Sequence, residues 1–186
     1  MDVAVVISGC YDYTKAAIQL TSGLWPRLMN LILTKLIVSA VMTHKAIYRT
    51  RFNLESFNRF HSLRQYDDAF IIKLFGFKTT DDYYREATNA YGLERIAVPT
   101  FALSAADDLI APQMDLPLEQ VARCGSFTML VTERGGHIGF IDGILKPGFF
   151  LERLFEQFAG ALFGLKSNPR ELFQEKSNQE SELCQA

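Results

Sequence analysis

The chain has 186 residues, of which 48% are apolar and 12% aromatic, and its formal net charge is −2. This length and apolar content suit one domain with a packed core. A weakly acidic chain has no basic field that would attract phosphate groups, so nucleic acid is not an expected partner.

Cysteine usage and the N-terminal residues bear on the compartment. Cys10, Cys124 and Cys184 are odd in number, widely spaced and form no Cys-x-x-Cys pair, which argues against a disulfide framework and a zinc site. The first residues lack the basic region and cleavage site of a signal peptide. We therefore expect a reducing compartment, a cytoplasmic or membrane-associated protein that is not secreted, and neither a metal nor an organic cofactor.

The N-terminal half predicts one strand followed by helices. Residues 3–7 form a β-branched run, typical of a strand covered on both faces in a parallel sheet. Asp12 offers a cap for a short helix over residues 15–20. Residues 24–91 have helical periodicity and predict a cap-like helical excursion, in which Thr80 is expected to cap a helix.

Within this excursion, residues 24–42 form the longest apolar stretch. Its length almost suffices to cross a membrane. Arg27, Asn30 and Lys35 interrupt it and Pro26 stands near its start, which disfavours a spanning helix. An amphipathic cap helix that covers an apolar pocket, or that makes peripheral contact with a membrane, is the preferred interpretation.

The C-terminal half alternates strands and helices. Strands are predicted at residues 98–105 and 127–132, with a helix at 117–123 between them, which implies parallel pairing. A wide apolar stripe over 149–163 predicts a helix packed on the sheet. The predicted fold class is α/β, with about three parallel strands, in a domain over residues 1–165 followed by a polar disordered tail at 166–186.

Two chemistry-bearing residues follow the last two predicted strands. Asp108 and His137 are separated by enough chain for one helix and one strand, and the carboxyl ends of adjacent parallel strands meet at one edge of a sheet. A histidine used as a general base needs an acceptor that fixes its tautomer. Asp108 and His137 are therefore the candidate catalytic acid and base, and Gly135, Gly136 and Gly139 are expected to let the imidazole project into a pocket.

Alternatives remain at several positions. Asp107 is the rival to Asp108 as the acid. His44 and His61 lie in the helical excursion without an acid and glycine setting, so core or surface roles are favoured for them. Ser8 and Cys10 end the first strand, but no Gly-x-Ser-x-Gly nucleophile elbow occurs in the sequence, and packing roles are favoured there as well.

Several motifs in a fixed order carry a resemblance to a known family. They are residues 8–12 (Ser-Gly-Cys-Tyr-Asp), 64–68 (Arg-Gln-Tyr-Asp-Asp), 76–77 (Gly-Phe), 83–84 (Tyr-Tyr), 99–112 and 135–140. With these motifs, residues 3–163 closely resemble the C-terminal half of the α/β-hydrolase-domain lipid esterases, the AB hydrolase 4 group that includes abhydrolase-domain proteins one and three. The resemblance identifies Asp108 and His137 with the triad acid and base of an α/β-hydrolase fold.

The resemblance implies a serine-type carboxylic ester hydrolase acting on acylglycerols, phospholipids or short- to medium-chain esters, by hydrolysis or acyl transfer. In the family the nucleophile serine and the oxyanion-hole donors belong to the earlier half of the fold. We therefore expect the 186-residue chain alone to be inactive. The alternative is a non-catalytic fragment that binds a partner or self-associates through the exposed edge of its first strand.

Overall fold

The computed structural model describes residues 3–143 and 148–164; the predicted tail at 166–186 lies outside the described residues. Contacts between Cα atoms divide the chain into two units. We call them the sheet unit (Met1–Tyr11 and Asn89–Ala186) and the helical unit (Asp12–Thr88). Each is described by itself.

In chain order, the strands and α-helices are β1 (Ala4–Ile7), α1 (Tyr13–Gln19), α2 (Leu24–Thr43), α3 (Lys45–Tyr48), α4 (Leu63–Tyr66), α5 (Ile72–Phe75), α6 (Thr80–Ala87), β2 (Thr100–Ala105), α7 (Leu118–Ala122), β3 (Phe127–Thr132), β4 (Ile141–Asp142), β5 (Gly148–Phe149) and α8 (Phe150–Gly164). Short 3₁₀ helices cover Leu54–Arg59, Ala90–Arg95 and Gln113–Asp115, and a π-helical segment covers Asp67–Ile71.

The sheet unit is built on three parallel strands in the order β1-β2-β3. Ala4 pairs with Thr100, and Thr100 pairs with Phe127. The crossover between β2 and β3 contains α7, as the strand, helix and strand pattern predicted. Three parallel strands with flanking helices form part of an α/β fold of the expected class.

β1 is an edge strand, and no strand pairs with its outer side among the described residues, which agrees with the exposed edge expected for the first strand. The burial of its faces differs from what its composition predicted, because the β-branched run suggested a strand covered on both faces. Val5 and Ile7 are each 37% exposed. Composition indicates how apolar a strand is, but not whether another element covers it. The expectation that both faces of β1 are covered was therefore wrong.

Each face of the sheet has its own apolar cluster. On one face Ala102 packs with Tyr11, Leu93 and Phe127. On the other face Leu103 and Ala105 pack with Phe140, and the start of α8 covers this group. The ring of Phe158 from α8 stacks on Phe101 with centroids 4.9 Å apart.

The helix predicted at the C-terminal end is therefore present and lies on the sheet. Its apolar stripe is buried less completely than the pattern suggested. No residue of α8 is fully buried, and Phe155 remains 53% exposed.

The helical unit has a core of aromatic rings. Phe57 is 2% exposed and contacts Tyr66 and Phe70 edge to face, with ring centroids 6.3 Å and 5.6 Å apart. Val38 of α2 and Leu54 complete the buried set. Aromatic pairs of this geometry stabilise a core beyond their buried area.

Two of the sequence motifs meet inside this unit. The Tyr84 hydroxyl donates to Asp67 Oδ2 at 2.7 Å, and Arg64 Nη2 lies 2.8 Å from Asp81 Oδ1. These hydrogen bonds connect α4 and the π-helical segment, which carry the Arg-Gln-Tyr-Asp-Asp motif, to α6, which carries the Tyr-Tyr motif. The cap of α6 is Thr79, whose hydroxyl accepts from the Asp82 N–H, and not Thr80 as expected.

α2 is the one helix among the described residues that is long and apolar enough to cross a membrane. Length and composition alone support this, and they are weak evidence because a core helix of a soluble protein or a signal sequence meets the same criteria.

Candidate active site

The sheet places both candidate residues at its carboxyl edge. β2 ends at Ala105 and β3 at Thr132, and these two residues are paired. Asp108 lies three residues after the end of β2, and His137 lies in the glycine turn after β3. The predicted convergence of the two loops is thus present in the structure.

Asp108 and His137 are in direct contact. His137 Nδ1 lies 2.9 Å from Asp108 Oδ2. The Asp108 side chain is 1% exposed and the His137 side chain 33% exposed. The carboxylate is therefore shielded from water, while the imidazole, bonded through Nδ1, keeps Nε2 for another partner.

The second oxygen of Asp108 is held by its own loop. Oδ1 accepts from the Ile110 N–H at 2.8 Å and from the Ala111 N–H at 3.0 Å. These backbone bonds fix the plane of the carboxylate, and Oδ2 is thereby aimed at the imidazole. A buried carboxylate with three hydrogen bonds is well compensated for its loss of water.

Asp107 has a different position, which sequence reasoning missed. Its Oδ1 accepts from the Gly135 N–H at 2.9 Å and the Gly136 N–H at 2.8 Å, and its side chain is exposed. Of the two neighbouring carboxylates, Asp108 reaches the imidazole and Asp107 holds the backbone of the glycine turn. An Asp-Asp pair after one strand and a Gly-Gly pair after the next is the sequence signal for this contact.

Two of the three glycines are required by geometry. A Cβ on Gly135 would lie 2.5 Å from Phe140 Cδ1 and 3.0 Å from the Ala105 Cβ, and Gly136 has a φ of +61°. Gly139 meets only ordinary contacts and has no positive φ. The expectation that all three shape the turn therefore applies to Gly135 and Gly136.

The other candidates occupy different settings. His44 and His61 are exposed residues of the helical unit. Ser8 follows the last residue of β1, has a φ of +49° and is 5% exposed. Its Oγ has no hydrogen-bond partner among the described residues, and residues 3–143 and 148–164 contain no cluster of three His, Cys, Asp or Glu side chains that could hold a metal ion.

A half-exposed imidazole oriented by a buried carboxylate can take a proton from a hydroxyl group and return it to a leaving group. Together with the three parallel strands, this is the edge of an α/β-hydrolase fold, and the chain belongs to the α/β-hydrolase-domain proteins. No protein-family model matches the sequence, and no solved structure matches it.

Curated relatives support this membership. The chain is 31% identical to "Phospholipase ABHD3" of Mus musculus over 136 residues, which are 73% of the chain and 33% of the relative. It is 28% identical to "Putative esterase YheT" of Escherichia coli, over 82% of the chain and 45% of that protein. It is 22% identical to "Monoacylglycerol lipase ABHD2" of Danio rerio, over 94% of the chain and 45% of that protein.

The names of these relatives describe a family of lipases and esterases. The chain spans between a third and a half of the length of these three relatives.

Proposed function

We propose that the whole protein is a serine-type carboxylic ester hydrolase that acts on lipid esters, with Asp108 as the acid and His137 as the base. The substrate class is acylglycerols, phospholipids or short- to medium-chain esters, with water or an alcohol as the acyl acceptor. The observation that carries the proposal is the 2.9 Å contact between His137 Nδ1 and Asp108 Oδ2. The names of the relatives support the substrate class.

In the proposed reaction His137 moves one proton in each direction. Nε2 takes the proton of a serine hydroxyl as its oxygen attacks the ester carbonyl, and it returns that proton to the leaving alcohol. Water then attacks the acyl-serine while His137 takes its proton, and His137 returns that proton to the serine oxygen as the bond to the acyl group breaks and the carboxylic acid is released. Asp108 stays ionised and stabilises the imidazolium that forms in each half-reaction. This chemistry needs no metal or organic cofactor.

The proposal leaves the nucleophile unassigned. No Gly-x-Ser-x-Gly motif occurs in the 186 residues, and in the family such an elbow presents the serine. In the serine protease subtilisin, removal of the nucleophile serine lowers kcat by about a millionfold. The proposed activity is therefore that of the whole protein, to which this chain contributes the acid and the base.

The test uses the 186-residue chain and the longest in-frame product of its transcript. Both are treated with a fluorophosphonate probe and assayed for release of p-nitrophenol from p-nitrophenyl butyrate. We expect His137→Ala to abolish labelling and Asp108→Asn to reduce kcat by roughly 10⁴-fold, as in a triad whose acid is neutralised. His61→Ala, at an exposed histidine, is the matched control and should leave both readouts unchanged.

Two results would contradict the proposal. One is labelling and hydrolysis that persist in His137→Ala. The other is absence of labelling in both forms of the protein while their circular dichroism shows a folded chain.

A second candidate function rests on the edge of the sheet. β1 has no pairing partner on its outer side among the described residues, and Val5 and Ile7 are partly exposed there. Such an edge is a template for pairing with another strand. We propose as the alternative a non-catalytic module that self-associates through β1; a mass by light scattering that stays monomeric from micromolar to millimolar concentration would rule it out.

A further inference from the structure

α2 presents its polar residues inward and its apolar residues outward. Its fully buried residues are Asn30, Thr34 and Val38. The residues on the opposite side are large, apolar and between 43% and 69% exposed: Trp25, Leu28, Ile32 and Leu36. At about 100° per residue these four fall on one face of the helix. We call them the α2 stripe.

Hydrogen bonds fix which face points inward. Asn30 Nδ2 donates to the Leu20 carbonyl at 3.3 Å, and Asn30 Oδ1 accepts from the Leu63 N–H at 2.8 Å. The Thr34 hydroxyl donates to the Asn30 carbonyl of the same helix at 2.6 Å, which satisfies this buried hydroxyl without orienting the helix. A rotation that buried the α2 stripe within this unit would break the two Asn30 contacts and leave buried polar groups unpaired.

The sequence segment that contains α2 carries charges of one sign. Between Asp12 and Glu55 the sequence contains no acidic residue. The same segment contains the basic residues Lys15, Arg27, Lys35, Lys45, Arg49 and Arg51. This cationic segment belongs to a chain whose net charge is −2, so positive charge is concentrated in the part of the sequence that contains α2.

We infer that α2 lies flat on an anionic lipid bilayer, with the α2 stripe in the boundary between headgroups and acyl chains. An exposed apolar face with flanking Lys and Arg residues is the signature of an interfacial helix. Each basic residue near an anionic leaflet strengthens binding by on the order of fivefold. Trp25 suits this depth because an indole ring has both an apolar body and a polar N–H.

An orientation across the bilayer is disfavoured by the same contacts. Asn30 binds the backbone of Leu20 and Leu63 outside the helix, and Lys35 Nζ donates to the Asn58 carbonyl at 2.7 Å. A spanning helix would lose these bonds and place Arg27 and Lys35 in hydrocarbon. The inference involves neither Asp108 nor His137, so it stands or falls independently of the proposed hydrolysis.

The chain carries its own reporter, because Trp25 is its only tryptophan. The full chain is titrated with vesicles of phosphatidylcholine and phosphatidylserine at about 70:30, while emission of Trp25 and co-sedimentation are measured. We expect a blue shift of the emission and binding that weakens as salt is raised, since part of the attraction is screened. Vesicles of phosphatidylcholine alone should bind far more weakly.

Two variants separate the apolar and the electrostatic contributions. Leu28→Ser/Ile32→Ser/Leu36→Ser retains Trp25 and should weaken binding by on the order of a hundredfold. Lys45→Gln/Arg49→Gln/Arg51→Gln should weaken binding to anionic vesicles by a similar factor, while binding to neutral vesicles stays the same.

The matched control is Tyr91→Ser/Leu118→Ser, which removes exposed apolar side chains of the sheet unit. It should bind vesicles as the parent chain does. All these side chains are exposed, so circular dichroism should show unchanged helix content; the charge variant tests the inference even if the serine variant unfolds.

The inference would be overturned if the Trp25 emission did not shift with anionic vesicles, or if the serine variant bound them as tightly as the parent chain does. A Trp25 emission that is already blue-shifted without lipid, with a mass that doubles on concentration, would show that a second copy covers the stripe. Membrane association that survives extraction at high pH would indicate a spanning helix instead.

Discussion

Gly135→Ala is expected to destabilise the protein through a contact with Phe140. The new Cβ would lie 2.5 Å from Phe140 Cδ1 and 2.6 Å from Cε1, about 1 Å closer than carbon atoms in favourable contact. Phe140 cannot yield easily, because it is 2% exposed and packs against Leu103 and Ala105. Overpacking of this kind costs about 1–3 kcal/mol.

The matched substitution is Gly136→Ala. Its Cβ would meet nothing within 4 Å, but Gly136 has a φ of +61°, so the expected cost of about 1 kcal/mol comes from the backbone. The two substitutions therefore distinguish two causes of destabilisation: a steric clash at Gly135 and an unfavourable backbone conformation at Gly136.

Thermal and urea unfolding of these variants, followed by circular dichroism, tests the reasoning. Each kcal/mol should lower Tm by roughly 2–4 °C for a chain of this size. In a Phe140→Leu background, Gly135→Ala should become less costly by about 1 kcal/mol, while the cost of Gly136→Ala should not change beyond about 0.5 kcal/mol. A cost of Gly135→Ala that is the same in both backgrounds would refute the steric explanation.

Two further predictions concern carboxylates. Burial raises the pKa of Asp67 to about 6 from its ordinary 3.8, so the folded state binds the proton more tightly and this stabilisation, present below about pH 4, is lost as pH rises through 6. Between pH 4 and pH 7 the parent chain should therefore lose about 1–3 kcal/mol of its free energy of unfolding, measured in urea and after allowance for screening. Asp67→Asn should remove this loss, whereas exposed Glu86→Gln should not. Asp107→Ala should speed amide exchange at Gly135 and Gly136 and cost about 1 kcal/mol; Asp107→Asn retains an acceptor oxygen, and equal exchange in both variants would contradict the role of that oxygen.

Periodicity and turn chemistry located most elements of the sheet unit. β3 begins and ends where its alternating apolar run indicates, and β2 begins two residues later than expected because Pro99 precedes Thr100. Pairing of the Asp108 and His137 loops followed from topology, since adjacent parallel strands end at the same edge. These features could be predicted because they depend on the local sequence and on the rule that adjacent parallel strands end at the same edge of a sheet.

The other features of the fold and the site depend on tertiary contacts, which a sequence pattern does not specify. Asp107 and Asp108 are chemically identical in the sequence, and only the fold decides which one reaches His137. Thr79 and Thr80 are equally good caps, and the helix boundary selects Thr79. The burial of Asn30 in α2 opposes the apolar pattern, because two backbone groups outside the helix bind its amide.

The geometry of the candidate site depends on the register between β2 and β3. Both aspartates after β2 bind the loop after β3: Asp107 binds its backbone N–H groups, and Asp108 binds the imidazole of His137. Sliding β3 by one residue against β2 would move that loop by about 3.3 Å, more than either hydrogen bond tolerates. The Asp108–His137 contact can therefore form only after the two strands have paired in their native register. The moment at which this contact appears during refolding would mark the completion of that pairing, which joins residues far apart in the sequence and is therefore a late step.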